Sequence, residues 1–261
     1  MDNLQKYHVS FIGSGNVAFH LAKALYKAGA VIDEVWSPNA LHRQALAAEV
    51  EAKEADKLTA LTTASDVYII AVPDGRVAEV VAALPKVKGI VAHTSGITSM
   101  QVVSKRFKNS GVFYPLQTFS KQRPVAVNEV PFCIEGNTEY ATQTLTQLAA
   151  MLSKNIHAVS SDERKKLHLA AVFVSNFVNH LYQTANTITN ENNLPFSLLI
   201  PLIEEVAAKI KTLSPAEAQT GPARRNDKKT IAVHREMLNA HPDFEVLYNL
   251  ITGQITKRYY E

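Results

Sequence analysis

The sequence predicts an α/β fold, in which a doubly wound, mainly parallel sheet is followed by an all-α C-terminal domain. Three observations lead to this prediction. Strand and helix patterns alternate over residues 1–159, a glycine-rich turn joins the first strand to the first helix, and no convincing strand pattern follows Ser160. At 261 residues the chain is long enough for two domains, which we place at 1–159 and 160–261.

Each element of the first domain is predicted from its hydrophobic pattern. Short apolar runs rich in β-branched residues predict strands, and apolar residues spaced three or four apart predict helices. The predicted strands are 7–12, 31–36, 67–72, 89–92, 112–116, 132–134 and 156–159, and the predicted helices are 17–28, 41–48, 77–84, 99–107 and 138–152. This alternation favours a parallel sheet covered by helices.

The second domain is predicted to be helical from its first residues. Residues 160–163 read Ser-Ser-Asp-Glu, which has the spacing of a capping box and indicates the start of a helix. We expect a long helix over 161–191, followed by helices at 196–211, 227–240 and 243–258.

Polar residues recur on one face of the long helix. His168, Ser175 and Asn179 are separated by seven and four residues, and the side chains around them are mostly apolar. Because buried polar groups need hydrogen-bond partners, this stripe predicts a wet cleft, a bound ligand or a polar network in a dimer interface. Towards its C-terminal end, plain exposure to solvent is an equal alternative.

The composition restricts the partners of the protein. The net charge is +3 with scattered Lys and Arg, so nucleic acid is not expected. No apolar run is long enough for a membrane span and no basic-then-apolar leader opens the chain, so we expect a cytoplasmic protein without a membrane partner. The single Cys133 and the spacing of the nine histidines predict neither a disulfide nor a metal site.

The turn after the first strand carries the most specific motif. Residues 13–18 read Gly-Ser-Gly-Asn-Val-Ala, which is the Gly-x-Gly-x-x-Ala pattern of a Rossmann-type dinucleotide-binding domain in its expected place between strand and helix. Backbone N–H groups and the helix N-terminus would bind the cofactor pyrophosphate. The predicted contacts are Gly13, Ser14, Gly15, Asn16 and Val17. A glycine-rich turn without a ligand is the alternative.

The end of the second strand favours NADP(H) over NAD(H). An NAD site places an acidic residue there for the ribose hydroxyls, whereas this chain has Ser37 and, six residues later, Arg43. A 2′-phosphate would accept hydrogen bonds from both side chains. Arg43 as a solvated surface residue is the alternative.

Two further strand ends are predicted to meet the ligand at the carboxyl edge of the sheet. Ala71, Val72, Pro73 and Asp74 end the third strand and are expected to contact the cofactor, although Pro73 also simply ends a strand.

The strand 89–92 leads into His93, Thr94 and Ser95. We expect Thr94 at the cofactor, and His93 and Ser95 in catalysis, because imidazole donates a proton near neutral pH. A structural role for a lone histidine at a strand end is an equal alternative.

A loop in the helical domain supplies the remaining candidates. Arg225 and Asp227 lie in the segment 220–227, where Arg225 is suited to an anionic substrate group. A solvated charge cluster is the alternative reading of this segment.

These motifs together resemble an uncharacterised bacterial family of Rossmann-like NADP oxidoreductases with a helical C-terminal domain of unknown function. The resemblance covers essentially the whole chain. It rests on Gly-Ser-Gly-Asn-Val at 13–17, Ala-Val-Pro-Asp at 71–74, His-Thr-Ser-Gly at 93–96, Pro-Leu-Gln-Thr-Phe at 115–119, Ser-Asn at 175–176, and Thr-Gly-Pro with Arg-x-Asp within 220–227.

The family is similar to the β-hydroxyacid dehydrogenases, pyrroline-carboxylate reductases, ketopantoate reductases and deazaflavin-dependent NADP reductases, which share a 6-phosphogluconate-dehydrogenase-like architecture. In those enzymes a helical second domain, commonly dimeric, closes the nicotinamide cleft, and its first long helix assists catalysis. The resemblance therefore implies roles for His168, Ser175 and Asn176. The chain departs from its relatives at Tyr114, where many have His, and at Asn226, where glycine is usual.

The resulting hypothesis is an NADP(H)-dependent oxidoreductase that moves hydride between the nicotinamide and a small, anionic carbonyl, imine or alcohol. We expect a homodimer formed through the C-terminal helices. The alternatives are a non-catalytic NADP-binding sensor and a deazaflavin-linked NADP reductase. The predicted catalytic residues are His93, Ser95, His168 and Asn176, and the predicted substrate-binding residues are Gln117, Ser175, Asn179, Arg225 and Asp227.

Overall fold

The computed structural model describes residues 6–260 of the chain. Within this part, eight strands form one sheet in the order β3-β2-β1-β4-β5-β6-β7-β8. Neighbouring strands run parallel except for β6 and β7, which confirms the predicted doubly wound, mainly parallel sheet. The strands are β1 (His8–Ile12), β2 (Val31–Trp36), β3 (Lys53–Ala55), β4 (Val67–Ile70), β5 (Ile90–His93), β6 (Ser110–Pro115), β7 (Phe132–Gly136) and β8 (Ile156–Ala158).

Helices connect the strands, and two of them begin at residues that favour helix starts. The side chains of Asn39 and Thr138 accept hydrogen bonds from the first turns of α2 and α5, at 2.9 and 3.1 Å. Helix α1 has no such side-chain cap among the described residues, so its first N–H groups are left to other partners. The helices are α1 (Asn16–Lys27), α2 (Ala40–Glu49), α3 (Val77–Ala83), α4 (Gln101–Ser104) and α5 (Glu139–Ala150).

The sheet is buried on both faces. Successive strand residues point to opposite sides, so Phe11 and Ile12 of β1 belong to two different apolar clusters. Both side chains are fully buried. Full burial of such a side chain contributes about 1.5–3 kcal/mol, which makes the central strands a rigid platform for the turns that follow them.

The strand register brings four turns to one edge of the sheet. Ile12 at the end of β1 pairs with Trp36 at the end of β2 and with Ile70 at the end of β4. Ile70 in turn pairs with His93 at the end of β5. The segments that follow these residues therefore lie side by side at the carboxyl edge, where open α/β sheets bind their ligands.

The chain after residue 160 is helical, as predicted, and Ser160 and Glu163 form the expected capping box. The predicted helix over 161–191 is interrupted by a π-helical segment, Phe173–Phe177, a feature that sequence periodicity does not reveal. None of the helices between residues 6 and 260 is long and apolar enough to cross a membrane. The helices are α6 (Ser161–Val172), α7 (Val178–Glu191), α8 (Ile200–Lys209), α9 (Pro215–Ala218), α10 (Lys228–Met237) and α11 (Pro242–Tyr260).

Backbone contacts divide the chain into two compact units, one ending at Asn176 and the other beginning at Phe177. Helix α6 therefore groups with the sheet, although it is the first element of the helical region. The predicted domain boundary between residues 159 and 160 marks the change from strands to helices. It stays a prediction.

Candidate functional site

The glycine-rich turn is fixed by close packing against β4. Gly13 has a φ of +119°, and a β-carbon at this position would collide with the carbonyl group of Ala71. Its N–H group donates to the carbonyl oxygen of Trp36 at 2.7 Å. Only glycine combines this backbone conformation with so close an approach to Ala71, and the turn is thereby held between the ends of β2 and β4.

Gly15 has the opposite environment. A β-carbon built on it would have no atom within 4 Å, so the space above this residue is open. Gly15 precedes α1, whose first turn carries neither a side-chain cap nor an acidic residue among the described residues. Free N–H groups and the helix dipole favour an anion here, and the residues present fit the pyrophosphate of a dinucleotide.

Asn16 and Val17 begin α1, and the Asn16 side chain has a partner within the protein. The Asn16 amide donates to the carbonyl oxygen of Phe119 at 2.8 Å, so its side chain holds the loop after β6. Both residues line a large cavity that also reaches that loop. Contact of their backbone with a pyrophosphate stays a prediction.

A groove of about 350 Å³ follows the carboxyl edge of the sheet from this turn. Most of the predicted cofactor contacts line it, namely Gly13, Ser14, Gly15, Ser37, Ala71, Val72 and Pro73. His42 and Arg76 also line it and were not predicted as contacts. Asp74 is outside the lining and instead begins a short 3-10 turn, Asp74–Arg76.

The end of β2 is organised by hydrogen bonds. The buried hydroxyl of Ser14 donates to that of Ser37 at 2.8 Å. This hydrogen bond connects the glycine-rich turn, called the phosphate turn below, to the residue at the end of β2 where an NAD site would have an acidic side chain. Arg43 donates to the Ser37 carbonyl at 3.3 Å, as well as to Glu54 and Asp56 at 3.0 Å each. The guanidinium thus lies beside the predicted subsite, but its charge is shared with two carboxylates.

A second cavity, of about 680 Å³, lies between the first turn of α1, the loop after β6 and the end of α6. It brings together six of the predicted site residues, which are Asn16, Val17, Gln117, His168, Ser175 and Asn176. Tyr114 lines the same cavity. This volume is in the range of small-molecule and cofactor sites.

His168 and Tyr114 form the polar centre of this cavity. The Tyr114 hydroxyl lies 3.2 Å from Nδ1 of His168, and the two rings meet edge to face. Burial raises the pKa of Tyr114 to about 12, so the phenol stays protonated at neutral pH. The sequence marked Tyr114 only as a departure from relatives, and its contact with His168 spans 54 residues of chain.

Gly96 packs closely against the His168 ring. A β-carbon at residue 96 would lie 2.5 Å from Nδ1 and 2.7 Å from Cγ of His168. The missing side chain therefore makes the space that the imidazole occupies.

His93 does not have the environment of a proton donor. It is fully buried, lines neither cavity, and its Nδ1 accepts from the Ser95 amide at 3.2 Å. Burial, helped by the Arg164 cation, lowers the pKa of His93 to about 3. The ring is thus neutral at physiological pH, and this geometry supports a structural role over the predicted catalytic one.

Ser95 and Thr94 also serve the local structure. The Ser95 hydroxyl accepts from the amides of Ile97 and Thr98 at 3.2 and 2.9 Å, which builds a tight turn after β5. Thr94 is bound to the Ile70 carbonyl through its amide at 3.0 Å. Neither residue lines the two cavities, so their predicted contacts with substrate and cofactor have no support in this geometry.

The remaining predicted residues belong to the second compact unit, where Asp227 has a local role. Asp227 caps α10 by accepting from the amide and hydroxyl of Thr230 at 3.1 and 2.7 Å, and the first of these hydrogen bonds lowers its pKa most. Arg225 lies in the turn before this helix, and Asn179 lies on α7. Their part in substrate binding stays a prediction.

The sheet and the glycine-rich turn are those of a Rossmann-type dinucleotide-binding domain. The family model for an NADP oxidoreductase, coenzyme F420-dependent, matches residues 8–96, and the model for a domain of unknown function (DUF2520) matches residues 130–255. A solved structure from Bacteroides fragilis, described as a putative NADP oxidoreductase, is 38% identical, covers 97% of this chain and 99% of its own, and has a TM-score of 0.91. The chain belongs to the same family as this Bacteroides fragilis protein, with an N-terminal domain that matches the NADP oxidoreductase model and a C-terminal DUF2520 domain.

More distant structures share the fold. A Thermotoga maritima protein is 24% identical over 97% of this chain and 100% of its own, with a TM-score of 0.81. A reductive aminase from Aspergillus terreus, solved with NADPH and ethyl levulinate, is 15% identical over 97% and 93% of the two chains, with a TM-score of 0.71. No curated protein matches the sequence.

Proposed function

We propose that the protein is an NADP(H)-dependent oxidoreductase that moves hydride between the nicotinamide and a small carbonyl, imine or alcohol. The observation that carries this proposal is the shared cavity: the first turn of α1, next to the phosphate turn, and the His168–Tyr114 pair line the same space. A cofactor bound by its pyrophosphate at Gly15 would extend its nicotinamide towards that pair.

The chemistry divides between cofactor and protein. A bound, reduced nicotinamide supplies the hydride to the substrate carbon. The oxygen or nitrogen of the substrate then requires a proton, and the His168 ring is the group best placed to donate it. Tyr114, a neutral phenol with a hydrogen bond to Nδ1, orients the ring so that Nε2 is left for the substrate.

The polar residues around His168 and Tyr114 would orient the substrate. Gln117, Ser175 and Asn176 line the cavity with His168, and their amides and hydroxyl offer both donors and acceptors. Arg225 in the loop 220–227 is the residue that we propose for an anionic group of the substrate.

The cofactor preference that we propose is NADP(H). Residue 37 is a serine, so no carboxylate at that position repels a 2′-phosphate, and His42 and Arg76 add basic side chains to the groove. Arg43 donates to the Ser37 carbonyl at 3.3 Å and is the third basic side chain at this end.

We propose that the protein functions as a homodimer assembled through its C-terminal helices. Several large apolar side chains of these helices are exposed in the single chain, among them Leu169, Val174, Leu198, Leu202 and Met237. Exposed apolar surface of this extent marks an interaction site. Light scattering after gel filtration tests the proposal, since a monomer at micromolar concentration would contradict it.

A steady-state screen of keto acids, cyclic imines and aldehydes, following absorbance of the reduced nicotinamide, tests the proposed reaction. With any substrate found, His168→Gln should lower kcat by about 100-fold or more, as expected for loss of a general acid. His157→Ala removes an exposed histidine and serves as the control. Equal kcat in His168→Gln and wild type would refute the role of His168.

A second candidate function is favoured by the family model that matches residues 8–96, because its description names coenzyme F420, a deazaflavin. The cavity of about 680 Å³ offers a volume of the size that a tricyclic ligand requires. Reduction of oxidised F420 by NADPH should therefore be assayed in the same screen. Tight NADPH binding without any turnover would instead favour a cofactor sensor.

A further inference from the structure

We infer that Arg164 is a positioning residue that holds the His168 ring in the position required for its proposed role as proton donor. This inference rests on the proposed function of His168. Arg164 lies on α6, four residues before His168 and therefore one turn away on the same side of the helix. It is fully buried, whereas the next residue, Lys165, is exposed.

The guanidinium joins α6 to the turn after β5. Its Nε donates to the Ser95 carbonyl at 3.2 Å, and Nη2 donates to the Thr98 carbonyl at 2.5 Å. These two acceptors flank Gly96, the residue whose backbone lies against the imidazole of His168. Arg164 thus fixes the backbone segment that forms one wall of the His168 site.

A carboxylate on the sheet completes the arrangement. Glu135 on β7 accepts from Nη1 of Arg164 at 2.5 Å and from the Ser161 hydroxyl at 2.8 Å. The Ser161 hydroxyl oxygen also accepts from the Met100 amide at 3.0 Å. One arginine therefore connects three segments, α6, the turn after β5 and β7, and α6 carries His168 at the lining of the cavity.

Stability alone is a poor reason for this arrangement. Burial of a charged guanidinium has a large desolvation cost, and apolar residues of similar volume often serve stability as well or better. What an apolar side chain cannot do is hold two carbonyl groups and a carboxylate in fixed directions, because this requires the planar fork of donors that arginine has. The geometry is therefore suited to placing the turn at Gly96 and, through it, His168.

The kinetic test compares Arg164→Lys, which keeps the charge but loses the fork, with Glu135→Gln, which keeps the shape but loses the charge. Lys165→Ala is the matched control, since it removes a cation from the exposed side of the same helix. We expect both variants to lower kcat by about 10- to 100-fold, the effect of a small misplacement of a catalytic group. KM and the Kd for NADPH should stay within about two-fold, because Arg164 touches neither the phosphate turn nor the groove.

A second measurement does not depend on turnover. In the wild type, the nuclear Overhauser effect between the Gly96 α-protons and the His168 ring should be strong, because the two groups are in contact. It should weaken in Arg164→Lys and Glu135→Gln at a temperature where both are folded, and remain in Lys165→Ala. If Arg164→Lys does not fold, the Overhauser effect in Glu135→Gln tests the inference by itself.

The two measurements separate the possible failures. Unchanged kcat and an unchanged Overhauser effect, with only a lower melting temperature, would overturn the inference. Arg164 would then contribute to the stability of the fold alone. If the wild type turns over no substrate, the proposed function fails. The Overhauser effect would then still show whether Arg164 holds the His168 ring against Gly96.

Discussion

Gly96 and His168 are in direct contact, with so little space between them that a β-carbon on residue 96 would lie 2.5 Å from Nδ1 of the imidazole. Real contacts of this kind are longer, so any side chain at residue 96 must move the ring or the helix that carries it. The turn after β5 therefore packs directly against α6, the first helix of the C-terminal region, at residues 96 and 168.

The first prediction follows from this contact. Gly96→Ala should lower kcat by about 10-fold or more, because the displaced His168 ring loses its alignment with Tyr114. Overpacking should also lower the free energy of unfolding by about 1–3 kcal/mol. The Kd for NADPH, measured by calorimetry, should not change.

The matched control is Gly253→Ala, which makes the same change in α11 where a β-carbon meets no atom within 4 Å. It should raise the free energy of unfolding by about 0.5–1 kcal/mol, because alanine favours helices over glycine. A Gly96→Ala variant with wild-type kcat would show that the position of the His168 ring does not matter for the reaction.

Tyr114→Phe tests the hydrogen bond at 3.2 Å between the phenol and the imidazole. Removal of the hydroxyl should lower kcat by about 10-fold, because the ring loses the group that orients it. Tyr140→Phe, on an exposed residue, is the control. Full activity in Tyr114→Phe would mean that His168 is oriented by other groups.

The buried His93 predicts a dependence of stability on pH. Its pKa is lowered from 6.5 to about 3 in the folded state, so the unfolded chain binds a proton that the folded chain does not in this window. The free energy of unfolding should therefore be highest above pH 6.5 and fall as the pH drops towards 3. The full loss of stability from this residue between pH 6.5 and pH 3 is on the order of 5 kcal/mol.

Urea unfolding of wild type and His93→Gln between pH 4.5 and 7.5 measures this effect. The slope of stability against pH should be smaller in His93→Gln, which has no proton to gain. The His93 ring should also show no titration between pH 5 and 8 by NMR. A titration near pH 6.5 would instead return His93 to the list of acid-base candidates.

The carboxylate partners of Arg43 give a prediction on cofactor choice. Arg43→Ala should raise the Kd for NADPH by about 10-fold and leave that for NADH unchanged, because only NADPH carries the 2′-phosphate. Glu54→Gln frees the guanidinium from a partner at 3.0 Å and should strengthen NADPH binding. Equal Kd changes for both cofactors would place Arg43 outside the phosphate subsite.

Local patterns predicted most of the fold. Strand 31–36 and the helical region after Ser160 agree with the structure because hydrophobic period and capping are local signals. The short edge strand β3 was missed, because its Lys-Glu-Ala sequence has no apolar alternation. The antiparallel pairing of β7 with β6 was also not predicted, since pairing direction depends on the chain path between strands.

The candidate site was less predictable from the sequence. The turn around Gly13 was found because its chemistry lies within a few consecutive residues. Tyr114 and Arg164 act through partners 54 and up to 69 residues away, so no local pattern marks them. His93 was given a catalytic role because its position at a strand end was visible in the sequence and its burial was not.

The account depends most on dinucleotide binding above Gly15, where the space is open. The most direct test is a calorimetric titration of NADPH into wild type and Gly15→Asp, whose carboxylate would occupy the place of the pyrophosphate. We predict saturable binding to wild type and binding weaker by about 100-fold or more in Gly15→Asp, with equal melting temperatures of the free proteins. No saturable binding to wild type, or equal affinity in the two proteins, would contradict the account.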